Sequence, residues 1–205
     1  MAKQALSVSQ LLAQKKETFE LSPEWKIAFG EPEVIGTWII WGQSGNGKTT
    51  FALQLAKELC QHGVVLYNSL EEGDSLSLMN AVERVGLQHV NRRVRFVCED
   101  MDTLLIRLKK RRSPKIVFID SFQYTQMSYK QYIELKEQLP NHLLIFVSHA
   151  DGNNPSGRSA KSVMYDSMLK IWVEGYRAFS KGRFIGERGW INIWEEAAQR
   201  YWEAQ

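Results

Sequence analysis

The chain has 205 residues, of which 44% are hydrophobic and 24% charged, and this size and composition are typical of one folded domain with a full-sized core. No apolar run approaches the roughly 20 residues of a membrane span, and the chain does not start with an apolar signal core, so we expect a cytoplasmic protein with no membrane partner. The formal net charge of +3 permits a nucleic-acid partner but does not argue for one.

The first elements in chain order are a helix and an extended segment. The pattern over residues 7–20 predicts an amphipathic helix with Leu11, Leu12 and Phe19 on one face. Two prolines then mark an extended lead-in to the first core strand. We therefore expect an N-terminal segment, residues 1–34, followed by the main domain, residues 35–205.

The main domain alternates between apolar runs and helical patterns. The apolar runs are continuous rather than alternating, which indicates strands buried on both faces of a parallel sheet. The predicted core strands are residues 37–41, 64–69, 94–98, 115–120 and 143–148. Shorter strands joined by tight turns follow at residues 168–174, 177–184 and 189–194. The predicted fold class is α/β, with a mostly parallel central sheet flanked by helices and a C-terminal antiparallel hairpin extension.

A phosphate-binding loop lies between the first core strand and the helix that follows it. The strand before the loop and the helix after it are the context that this motif requires. Its glycines let backbone N–H groups surround phosphate oxygens, and the helix N-terminus directs its partial positive charge at the anion. The loop consists of Gly42, Gln43, Ser44, Gly45, Asn46, Gly47, Lys48 and Thr49.

This loop predicts the binding of ATP and Mg²⁺. Lys48 is expected to reach the β- and γ-phosphates, and the Thr49 hydroxyl is expected to ligate Mg²⁺. We extend the nucleotide-binding residues to Thr50, the next position of the helix.

Acidic residues follow two of the predicted core strands, at the edge where open α/β sheets bind ligands. Asp120 ends the run 116–119, as a Walker B aspartate does, and is expected to hold Mg²⁺ through water. Glu71 and Glu72 follow the strand at 64–69, where a carboxylate can orient the water that attacks the γ-phosphate. The alternative for each is a solvated acid in a loop.

Short motifs follow three of these strands: Ser-Leu-Glu-Glu, then Asp-Ser-Phe-Gln, then Ser-His. Together with the phosphate loop they resemble the RecA-like P-loop ATPases, in the branch of DnaB-type replicative helicases and RadA-type recombination helicases. The resemblance implies Glu71 as the catalytic glutamate, with Glu72 as the second choice. It also implies a nucleotide contact for Gln123. The γ-phosphate sensor, commonly a glutamine in that branch, is His149 in this chain.

The same branch carries a Lys-x-Arg element on a late β-hairpin, which reaches the nucleotide of the neighbouring subunit. Lys181-Gly182-Arg183-Phe184 resembles that element. The resemblance implies that Arg183 stabilises charge on the transferred phosphoryl group and that Lys181 assists it. It also implies self-association into a ring or filament, with a hexamer expected.

Two partners remain open at this point. The loop at 151–162 suits a channel loop, and its Arg158 and Lys161 are candidate contacts for single-stranded DNA. The main hypothesis is therefore a bare RecA-like oligomeric ATPase core that acts with DNA in replication, recombination or repair. The alternative is a regulatory or assembly ATPase of the same fold that acts on a protein.

Overall fold

The computed structural model describes residues 5–204. Its strands are β1 Gly36–Gly42, β2 Val65–Ser69, β3 Val94–Val97, β4 Ile116–Asp120, β5 Leu143–Asp151, β6 Asn154–Pro155, β7 Leu169–Glu174, β8 Arg177–Ser180 and β9 Trp190–Asn192. Its α-helices are α1 Val8–Leu12, α2 Pro23–Phe29, α3 Lys48–Leu59, α4 Leu76–Val85, α5 Met101–Leu108, α6 Tyr129–Gln138, α7 Arg158–Asp166 and α8 Glu195–Glu203. None of the helices in this part of the chain has the length and apolar character to cross a membrane.

One sheet runs through the molecule in the order β3-β2-β4-β5-β1-β7-β8-β9, with β6 paired to β5 outside this path. The pairs from β3 to β7 are parallel, and β7, β8 and β9 pair antiparallel. Every residue of β2 and β4 is buried, as expected for strands covered on both faces. The predicted α/β fold with a C-terminal antiparallel extension is confirmed.

The parallel register brings distant residues together at one edge of the sheet. Gly42 at the end of β1 pairs with His149 of β5. Ser69 at the end of β2 pairs with Asp120 of β4. The phosphate loop, the Glu71–Glu72 turn and Asp120 therefore meet at the carboxyl edge, where parallel sheets bind ligands.

The predicted helix over residues 7–20 is wrong in its extent. Helix α1 ends at Leu12 and contains no buried residue. Ser7 caps it through a reciprocal pair of hydrogen bonds with Gln10. The chain beyond it is extended, and Thr18 bridges to Glu33. This path buries Phe19 beside Trp38, with ring centres 5.7 Å apart, so Phe19 does not share a helical face with Leu11 and Leu12.

The lead-in is also not wholly extended, because it contains helix α2. Pro23 occupies the first turn of α2, where its fixed φ and missing N–H carry no cost. Trp25 stacks on Phe51 of α3 at 5.6 Å, and Phe29 packs on the same ring. Several residues before position 35 therefore pack into the main core. The predicted division of the chain into residues 1–34 and residues 35–205 stays a prediction.

The loop expected at residues 151–162 is largely regular structure. It forms the short strand β6 and the first turns of α7. Gly157 precedes α7 with φ of +89°, which permits the sharp entry into the helix. Arg158 and Lys161 therefore lie on a helix, where both are exposed, rather than on a mobile loop.

Candidate functional site

A cavity of about 970 Å³ opens at the carboxyl edge of the sheet. The predicted site residues that line it come from four separate segments: Gln43, Ser44, Gly45, Gly47, Lys48, Thr49, Thr50, Glu71, Glu72, Asp120 and His149. The fold thus brings most of the predicted site into one cavity.

The phosphate loop has the backbone conformation that its glycines permit. Gly45 and Gly47 have φ of +78° and +94°, in the left-handed region that favours glycine. A Cβ at Gly45 would meet no atom within 4 Å, so this side of the loop faces open space. Lys48 begins α3 and donates from Nζ to the Gln43 carbonyl at 3.0 Å. Burial lowers the pKa of Lys48, and this effect outweighs the negative charges of Asp120 and Glu71, which raise it.

Two loop residues hold the backbone in place and do not line the cavity. A Cβ on Gly42 would lie 2.2 Å from the Val173 carbonyl oxygen, so glycine is required there for the packing of β1 on β7. The Asn46 amide oxygen accepts a hydrogen bond from the Gly175 N–H at 2.7 Å, which ties the loop to the β7–β8 turn. Their predicted direct contact with nucleotide stays a prediction.

Asp120 is buried at the floor of the cavity. Burial raises its pKa to about 6, supported by the charges of Glu71 and Glu72 and opposed by the Tyr67 hydrogen bond and by Lys48. The Tyr67 hydroxyl donates to Oδ2 of Asp120 at 2.5 Å. Burial and the same carboxylate raise the pKa of Tyr67 well above its ordinary value, so the hydroxyl keeps its proton.

Glu71 and His149 contact each other across the cavity mouth. Nε2 of His149 lies 2.8 Å from Oε2 of Glu71 and 3.5 Å from the Ser121 hydroxyl. Burial opposes ionisation of Glu71, but its hydrogen bonds to His149 and Ser121 and the charge of Lys48 outweigh that effect and lower its pKa. Glu71 is therefore a carboxylate at neutral pH, as a base for water must be.

Gln123 lies behind this pair and not on the cavity wall. Its amide nitrogen donates to the Ser148 hydroxyl at 2.8 Å and to the Ser156 carbonyl at 2.9 Å. Its amide oxygen accepts the His149 backbone N–H at 3.1 Å. Gln123 therefore stabilises the end of β5 through these hydrogen bonds. Its direct contact with nucleotide stays a prediction.

The far wall of the cavity comes from residues that sequence reasoning missed. Tyr176 and Trp194 meet edge to face, with ring centres 5.8 Å apart. Arg84 crosses from α4 and donates to the Thr50 hydroxyl at 3.1 Å. Gln54 of α3 lines the same wall. No local motif marks these residues, because they approach one another only through the fold.

Lys181 and Arg183 lie in the segment between β8 and β9 and do not line the cavity of their own chain. The Lys181 N–H donates to the Lys170 carbonyl, and the Arg183 N–H donates to the Met168 carbonyl. A Cβ on the intervening Gly182 would lie 2.7 Å from that Met168 oxygen. The backbone of this segment is therefore fixed against β7.

The two predicted metal ligands, the Thr49 hydroxyl and the Asp120 carboxylate, both line the cavity, as do the carboxylates of Glu71 and Glu72. Residues 5–204 contain no cluster of three or more His, Cys, Asp or Glu side chains that can hold a metal by themselves. This donor set fits Mg²⁺, which is normally bound by one or two protein oxygens together with substrate phosphates and water.

No protein-family model matches the chain, and no curated protein matches it. Solved structures do match. The flagellar accessory protein FlaH from Methanocaldococcus jannaschii is 12% identical, with a TM-score of 0.60 over 85% of this chain and 91% of that one. A KaiC-like protein from Pyrococcus horikoshii OT3 is 15% identical, with a TM-score of 0.61 over 87% of this chain and 98% of that one.

These likenesses show that the chain has the RecA-like α/β fold of FlaH and of the KaiC-like protein. The matches do not single out the DnaB-type or RadA-type branch, so that part of the resemblance is not supported. They give no support to a role with DNA.

Proposed function

We propose that the chain binds and hydrolyses ATP with Mg²⁺, and that it works as a regulatory or assembly ATPase on a protein partner. One observation carries the enzymatic part: the phosphate loop, Asp120 and Glu71 share one cavity. The resemblance of the fold to a flagellar accessory protein and to a KaiC-like protein supports the choice of a protein partner over DNA.

The chemistry assigns each group a separate task. Backbone N–H groups of the loop and Lys48 bind the phosphates, and Lys48 exchanges its bond to the Gln43 carbonyl for one to phosphate. Thr49 and Asp120 would hold Mg²⁺, which would neutralise charge on the β- and γ-phosphates. Glu71 orients the attacking water and accepts its proton, while His149 bonds to Glu71 and faces the same space.

The far wall supports the placement of the nucleoside. Tyr176 and Trp194 offer aromatic surface, and Arg84, which bonds to Thr50, offers a planar cation in the same cavity. Bases bind well to such surfaces because every base has a π-face. The wall adjoins α3, whose N-terminus carries the phosphate loop, so one nucleotide can occupy both parts of the cavity.

The position of Lys181 and Arg183 supports a proposal of assembly. Both side chains are absent from the wall of their own cavity, so a role in phosphoryl transfer requires a second copy. We propose an oligomer, with a hexameric ring expected, in which Arg183 enters the cavity of the neighbour. An arginine finger supplied in trans raises turnover by about three to five orders of magnitude.

The test measures ATP binding and hydrolysis by the purified chain with and without Mg²⁺. Wild-type protein should release phosphate only with Mg²⁺, and Lys48→Ala should abolish turnover without changing the melting temperature. Wild-type turnover by Lys48→Ala would refute the enzymatic proposal. Addition of single-stranded DNA at stated salt should leave the rate unchanged, whereas stimulation lost in Arg158→Ala and Lys161→Ala would restore the DNA hypothesis.

A further inference from the structure

Tyr67 is a buried side chain that contacts the floor of the cavity from behind. It lies on β2, fully enclosed, and its ring stacks on Phe118 of β4 with centres 5.4 Å apart. Phe96 of β3 packs on it at 5.3 Å. Aromatic packing accounts for the ring but not for the hydroxyl, which donates to Oδ2 of Asp120.

The same segment also binds the main chain of Asp120. The N–H groups of Leu70 and Glu71 both donate to the Asp120 carbonyl, at 2.6 and 3.1 Å. The β2 segment therefore holds Asp120 at its carbonyl and at one carboxylate oxygen. Within residues 5–204 no side chain or N–H donates to Oδ1, and Asp120 lines the cavity, so Oδ1 is the oxygen left for a ligand.

We propose that Tyr67 is a positioning residue for the metal site, which fixes the Asp120 carboxylate so that Oδ1 faces bound Mg²⁺ and its water. This inference rests on the proposed function. An unconstrained aspartate rotates about its side-chain bonds and loses conformational entropy when it binds. The hydrogen bond from Tyr67 holds the Asp120 side chain in one conformation before the metal binds, so less entropy is lost on binding. Mutation of residues that bond to metal ligands in this way typically costs about 10- to 100-fold in metal affinity or activity.

The chain supplies a matched control in Tyr132. This tyrosine of α6 is also buried, and its hydroxyl also donates to a carboxylate, that of Asp166, while it lies 3.0 Å from the Thr37 hydroxyl. It does not line the nucleotide cavity. Tyr67→Phe and Tyr132→Phe therefore remove the same kind of bond in the same kind of environment, one at the proposed metal site and one away from it.

The experiment measures binding of adenylyl imidodiphosphate by calorimetry, first with EDTA and then over a Mg²⁺ titration. Tyr67→Phe should match wild type in EDTA and need about tenfold more Mg²⁺, or still more, for the same affinity. Tyr132→Phe should follow the wild-type Mg²⁺ curve. Asp120→Asn gives a second test of the same role. Because Tyr67 acts through Asp120, the double variant with Tyr67→Phe should need the same Mg²⁺ concentration as Asp120→Asn alone.

The outcomes separate this inference from the proposed function. An unchanged Mg²⁺ curve for a folded Tyr67→Phe protein would overturn the role of Tyr67 and leave the ATPase proposal intact. Equal shifts in both tyrosine variants would show a general effect of stability and also overturn it. If Tyr67→Phe does not fold, Asp120→Asn becomes the test. An unchanged Mg²⁺ curve for Asp120→Asn would overturn the role of Tyr67, because that role acts through Asp120. Wild-type protein that binds no nucleotide under any condition would refute the proposed function itself.

Discussion

At the scale of single residues, Glu71 and Glu72 both line the cavity but have different partners. The Glu71 carboxylate contacts His149, whereas the Glu72 carboxylate accepts only from the nearby Ser75 hydroxyl at 3.3 Å among the described residues. Glu71→Gln should bind ATP normally and hydrolyse it about 100-fold more slowly, the scale of a general base. Glu72→Gln is the matched variant and should keep most of its rate. Single-turnover kinetics of the two variants test the assignment of the general base. A slow Glu72→Gln together with an active Glu71→Gln would show that Glu72, and not Glu71, is the base.

His149 gives a second prediction at this scale, because it bonds to Glu71 instead of standing alone as a sensor. His149→Ala should slow turnover by about 10- to 100-fold, the cost of one charge-assisted hydrogen bond. His149→Gln keeps an N–H donor and should recover part of the rate. The affinities for ATP and ADP should be measured beside turnover. A loss confined to ATP affinity would favour a direct γ-phosphate contact over support of Glu71.

At the scale of elements, the N-terminal segment divides into a buried and an exposed part. Phe19 is 2% exposed against the core, whereas Leu12 at the end of α1 is 80% exposed. Phe19→Ala should therefore lower the free energy of unfolding by about 3–5 kcal/mol, as for other core phenylalanines. Leu12→Ala should change it by less than about 0.5 kcal/mol in the isolated chain. Urea unfolding at low protein concentration measures both, and equal losses would contradict the structure.

The same comparison shows why the sequence prediction for this segment was wrong. The spacing of Leu11, Leu12 and Phe19 fits a helix, but short helices are marginal without tertiary packing. Phe19 is buried against Trp38 and His62, which lie outside its segment. Local periodicity carries no information about those partners, so the extended path could not be inferred.

At the scale of the whole molecule, the proposed assembly predicts complementation between two inactive variants. Lys48→Ala keeps an intact Arg183, and Arg183→Ala keeps an intact phosphate loop. In a mixed oligomer some cavities combine an intact phosphate loop with an intact Arg183 from the neighbouring copy, so phosphate release should partly recover. Arg188→Ala is the matched control, since Arg188 lies in the same segment between β8 and β9 and should keep wild-type turnover. No recovery at any ratio, despite proven co-assembly, would refute action of Arg183 across an interface.

The fold class, the phosphate loop and the position of Asp120 at a strand end could all be predicted from the amino-acid sequence. The phosphate loop and Asp120 are local features, because each depends on residue types at one strand end, and the fold class follows from the alternation of apolar runs and helical patterns along the chain. The contacts between groups became known from the folded chain: Tyr67 with Asp120, Glu71 with His149, and Asn46 with Gly175. Those contacts join residues from separate segments. They arise from the order and register of the strands, which no short stretch of sequence encodes.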